Sequence, residues 1–201
     1  MNQTDGFEHI HAFPNYFNIE LSTKMEFEVE IEIDSGIFYD TEFSSVKFDV
    51  LLEKDWKLES GFISGTTHCS SPDIQIEKLS TFCFKEKFCI STTNFQCCPQ
   101  IIFSIYSIDF FGRVIVKAYG QTFIPLSSIK SELKVRLFVP IPNNSISGFF
   151  GKLFGKNPEY VDPMKTLVYS FGRKFISTKP AGLLNINFVV RKRFWSENGF
   201  E

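Results

Sequence analysis

The chain has 201 residues, 43% of them hydrophobic, and a formal net charge of −2. A chain of that length buries about 70% of its unfolded surface in one domain, so disulfide staples are not required. Near-average hydrophobicity excludes wholesale disorder, and the absence of a dense basic run with interleaved aromatics excludes nucleic acid as the expected partner.

Residues 1–20 carry no clear period and are expected to form an N-terminal arm or edge strand, followed by one domain over 21–192 and a tail over 193–201. From Lys24 to Asp34 the pattern alternates: Phe27, Val29, Ile31 and Ile33 on one side, Glu26, Glu28, Glu30, Glu32 and Asp34 on the other. Successive side chains of a strand face opposite sides of a sheet, so this is a half-buried strand whose carboxylate row meets either water or cations. Further strand-like runs are Val46–Leu52, Ile74–Leu79, Phe82–Ile90, Gln100–Ser107, Val114–Ile124, Glu132–Val139 and Leu183–Arg191. Asp34-Ser35-Gly36, Ser71-Pro72-Asp73, Phe111-Gly112, Pro140 to Asn144 and Pro180-Ala181-Gly182 supply the expected turns. About eight short strands without a long helical period predict an all-β, antiparallel β-sandwich.

Ser147–Tyr169 is the least strand-like stretch. Phe149, Phe150, Leu153 and Phe154 crowd between Gly148, Gly151 and Gly155, with Lys152 and Lys156 among them, which suits one short amphipathic helical turn. Pro158 and Pro163 then bracket an ordered loop packed by Tyr160. Charge is unevenly spread along the chain. Residues 1–60 hold 14 acidic and 4 basic side chains, and the rest hold 9 and 17, a polarity that could steer partners. The 25 phenylalanines supply a core generously; those left at the surface would favour partners.

No motif in the chain carries catalytic or metal chemistry. The five cysteines (69, 83, 89, 97 and 98) form no CxxC pair, and Met1–Ile10 has no apolar signal core, so reduced thiols in the cytosol are expected. Phe88–Ile108 is free of charge but interrupted by Thr92, Thr93, Asn94, Gln96, Pro99 and Gln100, and does not make a membrane helix. Gly151 to Asn157 is one residue too short for a phosphate loop and has Asn where Ser or Thr belongs. In Gly61 to Gly65 the serine is displaced from a nucleophile elbow. His9 and His11 lack a third metal ligand; His68 and Cys69, adjacent in sequence, would face opposite sides of a strand; Cys97-Cys98 reads as small core or edge residues. Asp34, Asp40 and Asp109 sit at strand ends outside any Asp-x-Asp cluster, which disfavours calcium. No catalytic residues, cofactor, metal or small-molecule substrate are expected.

Several motifs carry a resemblance. They are Pro99 to Tyr106, then Asp109 with Phe111-Gly112, Val116 to Gly120 with Pro125, Phe138-Val139-Pro140, Phe150-Gly151-Lys152, Pro158-Glu159-Tyr160-Val161-Asp162-Pro163, Gly172-Arg173 and Gly182 to Val190. In this order they resemble the B9-domain family, firmly over about residues 96–191, with Val46 to Trp56 fitting the family's early strand. Cys98 stands where the family usually has Trp, and Ser170-Phe171 replaces a small or acidic pair.

The resemblance implies a C2-like sandwich and a non-enzymatic scaffold of the ciliary transition zone and basal body, in the cytoplasm. It also implies assembly with the second B9-domain protein and the Meckel syndrome type 1 protein, supporting ciliogenesis and the diffusion barrier at the ciliary base. Phe149, Phe150, Phe154 and Tyr160 are the candidate partner contacts. A second reading is a calcium-independent peripheral membrane module, with Lys152, Lys156, Arg173, Lys174 and Lys179 meeting anionic lipid head groups.

Overall fold

The computed structural model describes residues 24–39, 43–73, 79–95, 97–109, 111–141, 159–160, 162–168 and 177–193. The expected arm over 1–20, the strand-like residues 74–78, the expected helical turn at 149–154 and the tail after Arg193 lie outside them.

Nine strands are described: β1 (Met25–Phe38), β2 (Ser45–Leu51), β3 (Trp56–Gly61), β4 (Ser64–Thr66), β5 (Leu79–Thr92), β6 (Gln100–Ile108), β7 (Val114–Phe123), β8 (Lys130–Ile141) and β9 (Ser177–Arg193). A six-residue helix, α1 (Pro163–Val168), precedes β9. All pairings are antiparallel, in the order β3-β5-β1-β9-β8-β7-β6-β2-β4. The sheet turns back on itself at β7 and β8, which share a single residue pair, Tyr119 with Phe138. Two layers result, β3-β5-β1-β9-β8 and β7-β6-β2-β4, and their inner faces merge into one core. The alternating residues of β1 (Phe27, Val29, Ile31, Ile33) meet Val46, Phe48 and Val50 of β2, Ile101, Phe103 and Ile105 of β6, and Leu184, Ile186, Phe188 and Val190 of β9 there. Each such side chain, fully buried, contributes roughly 1.5–3 kcal/mol, so the period-two pattern of β1 is the signature of an antiparallel sandwich layer. The fold is an all-β, antiparallel sandwich, as expected.

The side of the sandwich opposite β7 and β8 is bridged as well. β3 and β4 end the strand order yet are consecutive in the chain, so Phe62-Ile63 carries the backbone from one layer to the other. Gly61 makes the crossing with φ +86, and a Cβ there would run into the Lys87 carbonyl and the Phe88 backbone. Only glycine suits a left-handed φ and so close a backbone approach. Trp56 opens β3; its indole N–H donates to the Cys97 carbonyl at 2.5 Å and its ring packs 5.6 Å from Phe27.

Two expected turns are instead bulges inside strands. β1 continues through Asp34-Ser35-Gly36 to Phe38, with the register shift at Ile33/Ser35 absorbing the extra residue. β9 begins at Ser177 and runs through Pro180-Ala181-Gly182, where the shift opposite Leu137/Phe138 skips Ala181. Gly182, at φ +150, lies against the Ile37 carbonyl where no Cβ fits. Pro180 is tolerated because β9 extends past the end of β1 here and pairs with β8 alone. β8 likewise takes in Pro140 and Ile141, two residues expected in a turn. β3, β4 and α1 were not expected from the sequence. Phe88–Ile108, tested as a membrane span, is the end of β5, a connection and β6; no helix among the described residues is long and apolar enough to cross a membrane.

Candidate binding surfaces

The outer face of β1 settles the question its carboxylates raised. β1 lies between β5 and β9, and both neighbours present cations to it. Glu28 is the hub: its carboxylate meets Lys87 Nζ at 2.6 Å, Arg191 Nη1 at 2.7 Å and Arg193 Nη2 at 2.6 Å, with its side chain 11% exposed. Lys87 first, then Arg191 and Arg193, overcome the opposing effect of burial and hold the Glu28 carboxyl down at about 2. Glu32 is lowered by a hydrogen bond from Asn187 Nδ2 at 3.2 Å and by Lys85 at 3.3 Å. Lys24 spans Glu59 at 2.9 Å and Glu26 at 3.1 Å, which raise its pKa. The acidic row of β1 is therefore interleaved with cations from strands much later in the chain, rather than set apart as a pole. A shallow groove of about 340 Å³ over this ladder, lined by Glu26, Glu28, Glu59, Lys87 and Arg193 among others, has its charges already matched: Glu28 by Lys87 and Arg193, Glu26 and Glu59 by Lys24 beside it.

A second surface forms where the chain returns toward β9. Tyr119 of β7, 2% exposed, groups with Ile102 of β6 and Leu167 of α1 on the outer side of their layer. The Tyr160 N–H donates to Tyr119 Oη at 3.1 Å and the two rings lie 4.9 Å apart. Burial raises the Tyr119 phenol pKa against that hydrogen bond. The neighbouring Glu159 carboxylate accepts from the Val116 N–H of β7 at 3.4 Å. Asp162 caps α1, its carbonyl accepting from the Thr166 N–H and hydroxyl at 3.1 and 3.0 Å, with Pro163 in the first helical position. The Glu-Tyr-x-Asp-Pro run thus forms a strap laid on β6 and β7, and Tyr160 packs this loop as expected.

At the β6–β7 turn, Asp109 organises the hairpin. Its side chain is 5% exposed and accepts from the N–H groups of Phe111 (2.9 Å) and Arg113 (2.8 Å), from Arg113 Nε at 2.7 Å and from Nη2 at 2.6 Å. Against the upward pull of burial, these donors lower its pKa. The Arg113 guanidinium stacks 5.1 Å over the Phe111 ring. Exposed apolar side chains gather at this end of the sandwich: Tyr39 and Phe43 flank the β1–β2 connection, Ile108, Phe111 and Val114 the hairpin, and Ile141 ends β8.

The candidate contacts Phe149, Phe150, Phe154, Lys152, Lys156, Arg173 and Lys174 lie outside the described residues. Tyr160 is half-buried on Tyr119, and Lys179 is exposed on β9 opposite Val139, so the structure places those two on separate elements. Sequence reading missed Tyr119 and the Glu28 hub, whose partners come from distant strands. Cys97 is half-buried, its thiol pKa raised by a hydrogen bond to Glu53, and Cys98 is exposed, so neither belongs to the core. His68 and Cys69 lie in the connection after β4, where the imidazole packs 6.1 Å from the Phe82 ring. No group of three or more His, Cys, Asp or Glu side chains among the described residues is arranged to hold a metal ion.

Comparison with known proteins matches residues 27–191 to the family model described as B9-C2, ciliary basal body-associated, B9 protein. B9 domain-containing protein 1 of Mus musculus is 25% identical over 170 residues, covering 85% of this chain and 83% of that one. The protein of the same name from Homo sapiens is 24% identical over the same length and shares. That from Xenopus laevis is 25% identical over 159 residues, or 79% and 80%. Among solved structures, a C2 domain of plant Extended Synaptotagmin 1 superposes with a TM-score of 0.45 at 10% identity, over 82% of this chain and 93% of that one. The family match spans the sandwich from the second inward residue of β1 to near the end of β9, and on it the chain belongs to the B9-C2 family of ciliary basal body-associated proteins.

Proposed function

We propose that this protein is a non-enzymatic scaffold of the ciliary transition zone that assembles with other B9-domain proteins and supports ciliogenesis and the diffusion barrier at the ciliary base. The observation that carries the reading is the family match across residues 27–191, which takes in nearly the whole folded body. The partners of this reading are the second B9-domain protein and the Meckel syndrome type 1 protein.

The physical support is the apolar end of the sandwich. Interfaces rely on a few aromatic and Arg anchors held in fixed geometry, and Phe111 beneath Arg113, on a turn fixed by Asp109, is such an anchor. The segment bearing Phe149, Phe150 and Phe154 leaves from Ile141 and returns at Ser177, which are paired with each other at this same end. Those three residues, with Tyr160, are the proposed partner contacts.

The test is a tagged full chain in a ciliated cell, followed by imaging and co-purification. Signal at the ciliary base with B9-domain partners is expected; diffuse signal without them overturns the reading. Phe150→Ser with Phe154→Ser should weaken assembly while leaving the thermal melt in place, and coincident loss of folding would assign these rings to the protein's own core.

A further inference from the structure

After β4 the chain passes the β1–β2 connection, and Ser44 and Ser70 clip the two together. The Ser44 N–H donates to the Ser70 carbonyl at 2.9 Å and the Ser70 N–H to the Ser44 carbonyl at 2.8 Å. A second bridge, Asp73 with Leu79, holds the segment at its far end. Between the two bridges lie Ser71 and Pro72. Ser71 is exposed, and its hydroxyl has no hydrogen-bond partner among the described residues. Pro72 turns the residue before it away from helical and toward extended backbone. Of the nine prolines in the chain, Pro72 alone follows a serine or threonine.

We propose that Ser71 is a phosphorylation site for a proline-directed protein kinase, and that its phosphate closes the apolar end of the sandwich to partners. Such a kinase takes an extended segment with proline directly after the acceptor, and Ser71-Pro72 presents that shape at the surface. In the transfer, Ser71 Oγ attacks the γ-phosphorus of ATP. The bond from that phosphorus to the β–γ bridging oxygen breaks, ADP leaves, and the hydroxyl proton passes to a carboxylate of the kinase. Ser70 has Asp73 three residues on, the spacing an acidophilic kinase reads, but it is half-buried and its N–H and carbonyl are tied to Ser44.

Location gives the modification its effect. Antiparallel pairing of Ser44 with Ser70 makes Phe43 and Ser71 the flanking residues on the same side of the bridge. Phe43, 48% exposed, belongs to the apolar end together with Tyr39, Ile108, Phe111 and Val114. Phosphorylation brings between one and two negative charges to this rim. Residues 43–44 and 67–73 include no Lys or Arg to neutralise them, and Asp73 adds a further negative charge two positions on. A phosphate without a cation resists burial in an apolar interface instead of ordering its own loop. This effect rests on the apolar end being the partner surface, whereas the modification itself does not.

The test treats the purified full chain with ATP and a cyclin-dependent kinase and maps phosphopeptides by mass spectrometry. One phosphoryl group on Ser71 is expected. Ser71→Ala should abolish it, Ser70→Ala should leave it in place, and Pro72→Ala should slow it at least about tenfold. Thermal melts report folding, and the site mapped on the unsubstituted chain decides the matter if a variant fails to fold. The same phosphopeptide should be recovered from the tagged chain expressed in ciliated cells with phosphatase inhibitors. Labelling of Ser70 instead, labelling that survives Ser71→Ala, or no Ser71 phosphopeptide from cells would overturn the site. For the effect, the phosphorylated chain should bind the B9-domain partner at least about tenfold more weakly, the cost of one unpaired charged group at an interface. Kinase-treated Ser71→Ala should keep full affinity. Equal affinity of the two forms would overturn closure of the apolar end. Failure of the unmodified chain to bind would overturn that closure together with the scaffold reading, while the phosphopeptide map is read on the chain alone.

Discussion

Replacing Glu28 with Gln preserves the shape of the side chain and removes the charge on which Lys87, Arg191 and Arg193 converge. A carboxyl held at about 2 in the fold, against an ordinary 4.5, corresponds to on the order of 3 kcal/mol of stability at neutral pH. The three cations are more than half exposed, so solvent screening reduces this, and we expect a loss of about 1–2 kcal/mol for Glu28→Gln. In a domain of this size that lowers the melting temperature by roughly 2–8 °C. The pH dependence gives the prediction its edge. Because the folded-state pKa is depressed, the contribution is fully present above about 4.5 and is lost as pH falls toward about 2. Urea denaturation of both proteins should therefore give a gap that holds from pH 7 to about 4.5 and narrows from there down to pH 2.5. A gap that stays constant over that range, or no gap at pH 7, would refute the assignment of Glu28 as a charged hub.

Two further outcomes test the strap and the crossing. Tyr119→Phe removes the oxygen that accepts from the Tyr160 N–H; we expect a loss of about 1 kcal/mol and faster hydrogen exchange at the Tyr160 amide, with the β1–β9 ladder unaffected. Unchanged exchange at Tyr160 would remove Tyr119 as the anchor of the strap. Gly61→Ala forces a Cβ into a left-handed backbone and toward the Lys87 carbonyl, so a loss of at least about 1–2 kcal/mol in chemical denaturation is expected, and a neutral result would contradict the crossing geometry.

The parts of the fold legible in the sequence are those whose signal is local. β1 announced itself because Phe27 to Ile33 alternate with carboxylates along one strand; β2 and β8 alternate in the same way, and β6 showed as a short apolar run buried on both faces. β3 was invisible because it is an edge strand in which Trp56 alone is buried, leaving no period to detect. Asp34-Ser35-Gly36 and Pro180-Ala181-Gly182 misled because a bulge and a turn draw on the same residue types, and sequence does not reveal whether the strand resumes on the far side. The charge asymmetry misled for a different reason. A running count along the chain treats Glu28 and Arg191 as opposite poles, whereas the topology makes them neighbours. The hub is a property of strand order, which hydropathy does not encode.

The central place of β1 also bears on how the protein is made. β1 is the first described strand to leave the ribosome and β9 the last, yet they are hydrogen-bonded neighbours, with Glu28 waiting 163 residues for Arg191 and 165 for Arg193. Until Ser177–Arg193 emerges, one side of β1 and one side of β8 have no partner, and their inward apolar side chains remain partly open. Closure of the sandwich is thus tied to the synthesis of β9. Pairings that distant slow folding and lengthen the time spent with unpaired strand edges. A premature stop before Ser177 would therefore act on β1, far upstream, as severely as on β8, and chaperones would be needed until β9 has left the exit tunnel.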